Sequence, residues 1–125
     1  MTTVLIVEDN DASRDALSRR LQRRGYEIYV ATDGLQAVSV ATRAKPDLIL
    51  MDLGLPGVDG WTATAKLKSA EATRSIPIIV LSAHAMSTDR ELALAAGGDD
   101  FDTKPVRFPQ LLEKIERLLA KGAAR

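Results

Sequence analysis

The sequence predicts a doubly wound α/β fold, in which helices cover both faces of one parallel sheet. Two observations lead to this prediction. Five short apolar segments alternate with five segments of helical periodicity, and most of the apolar segments show no polar–apolar alternation. Strands that are apolar on both sides are typical of a parallel sheet buried between two layers of helices. With right-handed crossovers, the five units fill the 125 residues as one domain.

The first unit is predicted from an aliphatic run and the capping residues that follow it. Thr3–Val7 forms the strand, and Asp11–Arg24 has the periodicity of a helix. Asn10 or Asp11 can cap the start of this helix, and Gly25 can end it.

The second and third units follow the same pattern. Glu27–Ala31 is the only predicted strand with polar–apolar alternation, and Leu35–Ala44 is the helix after it. Asp47–Met51 is a fully apolar strand after its first residue, and the helix Trp61–Ser69 follows a loop rich in Gly and Pro. Asp52 stands between that strand and that loop, which places its carboxylate at an edge of the sheet, where ligands bind in open α/β folds.

The last two units complete the pattern. Ile78–Ser82 and a short segment around Asp100–Asp102 are predicted strands, and Thr88–Ala96 and Phe108–Ala120 are predicted helices. The final helix is amphipathic, so we expect it to lie on the sheet. Its apolar stripe consists of Phe108, Leu111, Leu112, Ile115, Leu118 and Leu119. Residues 121–125 read as a loose tail.

Composition excludes several classes of function. Lys plus Arg and Asp plus Glu are equal at 17 each, so no net charge draws the chain to nucleic acid or to a membrane. There is no cysteine, which excludes disulfides, thiolate metal sites and thiol catalysis. No apolar run approaches the roughly 20 residues needed to span a bilayer, and the chain enters a strand without a signal-peptide pattern. We expect a soluble, cytoplasmic protein.

Acidic residues follow two of the predicted strands. Glu8 and Asp9 follow the first strand, and Asp52 follows the third, so the three carboxylates are expected to share one pocket. At a separation of ~4 Å two like charges repel by about 4 kcal/mol if the effective dielectric is roughly 20. Protonation or a bound cation relieves that repulsion, and hard oxygen ligands favour Mg²⁺ or Ca²⁺, with water-rich sites suiting Mg²⁺ better. The alternative is that Glu8, Asp9 and Asp11 only cap the first helix; Asp52 favours the metal interpretation.

Basic and hydroxyl groups are expected at the same edge. Lys104 follows the fifth strand, and a lysine supplies a mobile charge suited to phosphate. Ser82 ends the fourth strand, where it can cap a helix or donate to a phosphate, and the small Ala83 leaves the pocket open. The bond between Lys104 and Pro105 is of the type that can be cis.

These residues, in this order and spacing, resemble the receiver domain of two-component response regulators over essentially the whole chain. The matching residues are Glu8-Asp9, Met51-Asp52-Leu53, Pro56, Asp59-Gly60, Ser82-Ala83 and Lys104-Pro105. The resemblance implies a flavodoxin-like (βα)5 three-layer sandwich with the parallel sheet order 2-1-3-4-5. It also implies a single receiver domain over residues 1–125, with a core of about 3–120.

The resemblance implies a role for each acidic residue. Asp52 would be the phosphoacceptor, which attacks a phosphoryl group carried by a histidine of a partner. Asp9 would bind Mg²⁺ directly and Glu8 through water, with Asp52 and the backbone carbonyl of Gly54 completing the protein ligands. Such a domain is a phosphorylation switch, which catalyses only its own phosphoryl transfer and slow dephosphorylation.

Further roles follow from the same resemblance. Lys104 would balance the charge on the phosphoryl oxygens, and Ser82 would donate a hydrogen bond to one of them. Ser82 and Phe101 would form the conformational switch, with Phe101 standing where tyrosine is common; the alternative for Phe101 is a plain core aromatic. His84, the only histidine, would lie on the rim of the site with Ala83 and Pro105.

Surfaces for partners are less specific. The resemblance implies a sensor histidine kinase or a histidine phosphotransfer protein as the phosphoryl donor. The first helix is expected to turn Ala16, Leu17 and Leu21 inward, and its arginines form either a solvated face or a docking surface. They are Arg14, Arg19, Arg20, Arg23 and Arg24. An exposed Leu92 could join Phe101 and the fifth helix in a partner or phosphorylation-dependent dimer face, whereas direct DNA binding is disfavoured because no helix-turn-helix unit is apparent.

Three other functions compete with the receiver hypothesis. An aspartyl-phosphate phosphatase would share the nucleophile and the metal but needs an acid two residues after Asp52, where this chain has Gly54. A flavodoxin-like mononucleotide binder needs a phosphate-binding first loop, which the acidic run Glu8-Asp9-Asn10-Asp11 opposes. A degenerate receiver that only binds partners is opposed by the presence of Asp9, Asp52, Ser82 and Lys104.

Overall fold

Strands and helices alternate strictly along the chain in a computed structural model, which describes residues 1–54, 59–83 and 87–123, the side chains of 87–89 and 122–123 excepted. The strands are β1 (Thr3–Val7), β2 (Glu27–Ala31), β3 (Leu48–Asp52), β4 (Ile78–Ser82) and β5 (Asp100–Thr103). The helices are α1 (Asp11–Gln22), α2 (Gly34–Ala44), α3 (Gly60–Ser69), α4 (Ser87–Ala95) and α5 (Phe108–Ala123).

The five strands form one parallel sheet in the order β2-β1-β3-β4-β5, which confirms the predicted fold class and strand order. The register aligns the carboxyl ends of the central strands. Val7 of β1 pairs with Met51 of β3, and Asp52 pairs with Leu81 of β4. Ser82 in turn pairs with Thr103 of β5. The residues that end these strands therefore meet along one edge of the sheet.

Helices cover both faces of the sheet, as a buried parallel sheet requires. On one face α2, α3 and α4 pack through small residues, which allow the helices to approach the strands closely: Ala37, Ala41, Ala63 and Ala93. On the other face α1 and α5 bury larger side chains, with the predicted stripe of α5 directed inward: Leu21, Leu111, Leu112, Ile115 and Leu118. Within the described ranges, no helix is both long enough and apolar enough to cross a membrane.

Side-chain caps set the starts of three helices. Asn10 caps α1 by accepting from the Ser13 amide at 2.9 Å. Asp33 caps α2, and Asp59 caps α3. These caps satisfy amides that have no partner inside the helix. Of the two residues proposed to cap the first helix, Asn10 is therefore the correct one.

Several details of the sequence prediction were wrong. Helices α2 and α3 each begin one residue earlier than predicted, α4 lies one residue earlier, and α5 continues to Ala123, into the segment predicted to be a loose tail. The third strand is shifted by one residue, because the Leu53 amide donates to the Leu81 carbonyl at 3.0 Å and thereby extends the ladder, so that Asp52 belongs to β3. The first helix ends two residues early, before Gly25, whose φ of 91° breaks the helix. Ala16 is exposed rather than inward, because α1 packs through Leu17 and Leu21, one turn apart.

Candidate functional site

The backbone of the sheet brings four chemically active side chains to its carboxyl edge. Glu8 directly follows β1, and its amide donates to the Ala31 carbonyl at 3.0 Å. Asp52 is the last residue of β3, and Ser82 is the last residue of β4. Lys104 follows β5, and its amide donates to the Ser82 carbonyl at 2.8 Å. Strand pairing therefore fixes the positions of these side chains before any contact between them is considered.

A cleft of about 580 Å³ opens at this edge. Seven of the predicted site residues line this cleft: Glu8, Asp9, Asp52, Gly54, Ser82, Ala83 and Lys104. Its remaining walls are residues to which the sequence analysis gave no role in the site: Asn10, Ser13, Leu53 and Trp61. The predicted convergence of carboxylates, lysine and hydroxyl on one pocket therefore holds in the structure.

Glu8, Asp9 and Asp52 form the acidic part of the cleft. One carboxylate oxygen from each lies within 4.8 Å of the others, so the three could hold a metal ion together. Glu8 and Asp52 are buried, whereas Asp9 is exposed at the mouth. Three hard oxygen donors with an open side suit Mg²⁺, which retains water ligands. The Gly54 amide donates to Asp52 Oδ1 at 3.1 Å, which helps to hold the carboxylate in place.

Lys104 neutralises part of this acidic cluster. Its Nζ lies 2.7 Å from Glu8 Oε1 and 3.0 Å from Asp52 Oδ2. Burial raises the pKa of the Glu8 carboxyl above its ordinary value and Asp52 raises it further, while hydrogen bonds from Lys104 and the Asn10 amide offset only part of the shift. Burial alone would lower the pKa of Lys104, but its bonds to Glu8 and Asp52 and their negative charge outweigh burial and raise that pKa. Lys104 therefore stays charged in the cleft.

Some predicted site residues lie elsewhere. Phe101 is buried in the core between the sheet and the helices α2, α3 and α4, rather than at the cleft. Pro105 lines a neighbouring groove and follows a cis peptide bond from Lys104, as its sequence permits. His84 and Pro56 fall outside the described residues.

Gly60, the first residue of α3, lies directly against the backbone of Asp52 and Leu53. A Cβ at this position would lie 2.4 Å from the backbone oxygen of Asp52 and 2.8 Å from Leu53 Cα. Real Cβ atoms do not approach backbone so closely, so only glycine lets α3 begin against the end of β3. The spacing of Asp52 and Gly60 therefore reflects a direct backbone contact.

Gly60→Ala is expected to destabilise the fold by about 1–3 kcal/mol, the usual cost of overpacking. Helix propensity alone predicts the opposite sign, because alanine is favoured over glycine inside helices. Urea denaturation of both proteins measures the difference. Gly54→Ala is the control, because a Cβ there meets only Asp52 Oδ1, at an ordinary 3.8 Å. Equal stabilities of the two variants would contradict the close-contact argument.

Sequence reasoning missed Trp61 among the residues that line the cleft, and it misassigned Arg14, which contacts the cleft residue Glu8. Trp61 lines the cleft because it follows Gly60 directly, and its position after the Asp59 cap was the available signal. Arg14 was grouped with the arginines of the first helix, yet its guanidinium contacts Glu8 and Asp11, and its three-residue spacing from Asp11 was the available signal.

Comparisons with known proteins agree with this geometry. The sequence matches the response regulator receiver domain family over residues 4–116. It is 36% identical over 121 residues to the DNA-binding dual master transcriptional regulator RpaA of Synechocystis sp., which covers 97% of this chain and 50% of RpaA. It is 37% identical over 117 residues to the polar-differentiation response regulator DivK of Brucella anthropi, covering 94% of this chain and 95% of DivK.

A solved structure is similar in both fold and sequence. The receiver domain of the sensor histidine kinase PA1611 of Pseudomonas aeruginosa superimposes with a TM-score of 0.88 at 38% identity, covering 95% of this chain and 98% of that domain. That structure has a magnesium ion coordinated in its active-site cleft. The chain spans about half the length of RpaA and of RegX3, another curated relative. With residues 4–116 matched, this chain belongs to the response regulator receiver domain family and is a receiver domain of two-component signalling.

Proposed function

We propose that this receiver domain accepts a phosphoryl group on Asp52 and uses it to switch the binding of a partner. The observation that carries the proposal is the setting of the Asp52 carboxylate. It is buried in the wall of an open cleft, 3.0 Å from the Nζ of Lys104. A carboxylate held in place beside a fixed cation is suited to attack phosphorus, because the developing negative charge is already compensated.

The transfer follows from these groups. A carboxylate oxygen of Asp52 attacks the phosphorus of a phosphohistidine, forming the P–O bond of an acyl phosphate. The P–N bond breaks, its electron pair returns to the imidazole, and the imidazole takes up a proton. Lys104, which the cleft keeps charged, would then turn to the phosphoryl oxygens. Ser82, buried at the end of β4 in the wall of the same cleft, would donate its hydroxyl to one of them.

Glu8, Asp9 and Asp52 would hold Mg²⁺, with the Gly54 carbonyl as a further ligand. Their oxygen donors fit this ion, and the related PA1611 domain binds magnesium in its cleft. When bound, Mg²⁺ neutralises charge on the phosphoryl oxygens. Glu8 has a role with or without bound Mg²⁺, because its carboxylate also binds the Nζ of Lys104 at 2.7 Å.

The proposed activity is a switch rather than turnover. Position 54, two residues beyond the nucleophile, is glycine and offers no acid to protonate a leaving group. Phosphorylation adds about −1.5 to −2 charge at Asp52. Ser82 and Phe101 would carry the response: Ser82 would move toward the phosphoryl group, and Phe101, now buried, would adjust in the core. His84 and Ala83 would form the rim.

The phosphoryl donor would be a sensor histidine kinase or a histidine phosphotransfer protein. A groove of about 290 Å³ beside the cleft supports this, because Leu17 and Arg20 of α1 line it together with Val106 and Pro105. Such a groove could receive an apolar helix that carries the phosphohistidine. On the other side of the molecule Leu92 is 56% exposed, which supports a partner or dimer face on α4.

Intact-protein mass spectrometry with acetyl phosphate tests the proposal. One phosphoryl group per chain is expected in the presence of Mg²⁺ and none in EDTA. Absence of uptake with Mg²⁺ would refute the phosphoacceptor function. Repeated hydrolysis of small phosphate esters would instead identify a phosphatase, the main competing function.

A further inference from the structure

Arg14 on α1 is largely shielded from solvent. Its side chain is only 19% exposed. One guanidinium nitrogen, Nη1, donates to the backbone carbonyl of Glu8 at 2.9 Å, and Nη2 forms an ion pair with the Asp11 carboxylate. Arg19 on the same helix differs, because its side chain is 68% exposed and its ion pair is with Asp15, whose side chain is 62% exposed. Arg14 is therefore bound to the loop between β1 and α1.

The Glu8 carbonyl belongs to the planar peptide unit that joins Glu8 to Asp9. Every other hydrogen-bonding part of Glu8 is also held: its amide donates to Ala31, and its carboxylate accepts from Lys104 and from the Asn10 amide. Arg14 supplies the contact that fixes the carbonyl side of this peptide unit. The orientation of this peptide unit determines the position of the next residue, Asp9.

Asp9 depends on this backbone contact more than its neighbours do. Its carboxylate is exposed and, within the described ranges, makes no hydrogen bond or ion pair, whereas Glu8 and Asp52 are both held by Lys104. Yet an Asp9 oxygen stays within 4.8 Å of the other two carboxylates. Because no described residue binds the Asp9 carboxylate, its position follows from the backbone that carries it.

We propose that Arg14 is a positioning residue, which locks the Glu8–Asp9 peptide unit and so keeps the Asp9 carboxylate at the cation site. This inference rests on the proposed function, because it takes Glu8, Asp9 and Asp52 as the ligands of Mg²⁺. The planar guanidinium fork reaches the Glu8 carbonyl and Asp11 at once, which a single ammonium group cannot reproduce in the same geometry. Groups that hold metal ligands in this way commonly set metal affinity.

The Arg14→Met variant distinguishes a positioning role from a charge effect, because the two predict changes of opposite sign in Mg²⁺ affinity. Removing a positive charge near a cation site should strengthen Mg²⁺ binding on electrostatic grounds. Loss of positioning should weaken it, and we expect about tenfold weaker binding. The rise in melting temperature with increasing Mg²⁺ gives the dissociation constant, and the fluorescence of Trp61, the only tryptophan and a wall of the cleft, gives a second reading. Arg19→Met, which removes the same charge from a solvated position, should leave binding within about twofold.

Melting in EDTA shows whether each variant is folded. If Arg14→Met is unfolded, Arg14→Lys replaces it, because lysine keeps the charge and loses the fork, and the same weakening is expected. Unchanged or tighter Mg²⁺ binding in the folded Arg14 variant would overturn the inference, as would equal weakening in Arg19→Met. A wild-type protein with no Mg²⁺ response would instead overturn the proposed metal site itself, so the two failures are distinct.

Discussion

Asp52→Asn is expected to abolish phosphoryl uptake from acetyl phosphate while the fold is retained. The amide has nearly the shape of the carboxylate, but its oxygen is a far weaker nucleophile and cannot form the acyl phosphate. Folding should survive, because Lys104 keeps its 2.7 Å contact with Glu8 and the repulsion between Glu8 and Asp52 disappears. Intact-protein mass spectrometry measures uptake, and urea denaturation measures stability.

Asp100→Asn is the matched control for this variant. Asp100 is also a buried strand carboxylate with a cationic partner, Arg117, but it lies outside the cleft. We expect the Asp100→Asn variant to take up one phosphoryl group per chain on Asp52, as the wild-type protein does. Uptake that persists in Asp52→Asn, or is lost equally in Asp100→Asn, would contradict the assignment of Asp52 as the phosphoacceptor.

The fold was predictable because local patterns and topology point to the same answer. Strands such as Ile78–Ser82 are apolar on both sides, which only a sheet covered on both faces satisfies. The capping residue Asn10 and the terminating Gly25 each act within a few residues of their position. Because parallel strands end at one edge, the convergence of Asp52 and Lys104 followed from their places at the ends of strands.

What the sequence did not reveal depends on distances between segments. Arg14 looks like the other arginines of α1 until the backbone of Glu8 is placed 2.9 Å from its guanidinium. The clash that excludes a side chain at Gly60 exists only where α3 meets the end of β3. Ala16 fits the periodicity of a buried residue, yet α1 packs against the core through Leu17 and Leu21, which leaves Ala16 exposed. Periodicity identifies the buried side of a helix only to within about one residue.

Lys104 has one role in the unphosphorylated cleft and another in the proposed phosphorylated cleft. Without a phosphoryl group, Lys104 compensates Glu8 and Asp52, two buried carboxylates. In the proposed phosphorylated state the same charge is needed by the phosphoryl oxygens. A lysine that is mobile and charged can serve both states, whereas a rigid fork would favour one of them. Its removal should therefore affect stability as well as chemistry.

Lys104→Met is expected to destabilise the protein by about 2 kcal/mol in EDTA. Breaking a fully buried ion pair by removing one partner costs about 3–5 kcal/mol, and we expect less here because Lys104 is 27% exposed and water can reach the cleft. Mg²⁺ should restore more stability to this variant than to the wild type, because Lys104 no longer competes for the oxygens of Glu8 and Asp52. Urea denaturation with and without Mg²⁺ measures both effects.

The double variant Glu8→Gln/Lys104→Met tests the electrostatic origin of that loss. Neutralising Glu8 removes one of the two carboxylates that Lys104 compensates, so the double variant should be more stable in EDTA than Lys104→Met alone. Lys66→Met, which removes an exposed lysine from α3, should change stability by less than about 0.5 kcal/mol.

Phosphoryl uptake by Lys104→Met should be roughly 100-fold slower with Mg²⁺ present, since one charge that stabilises the transferring oxygens is gone. If Lys104→Met is as stable as the wild type in EDTA, the lysine does not hold the carboxylates together, and its place beside Asp52 would then serve the phosphoryl group alone.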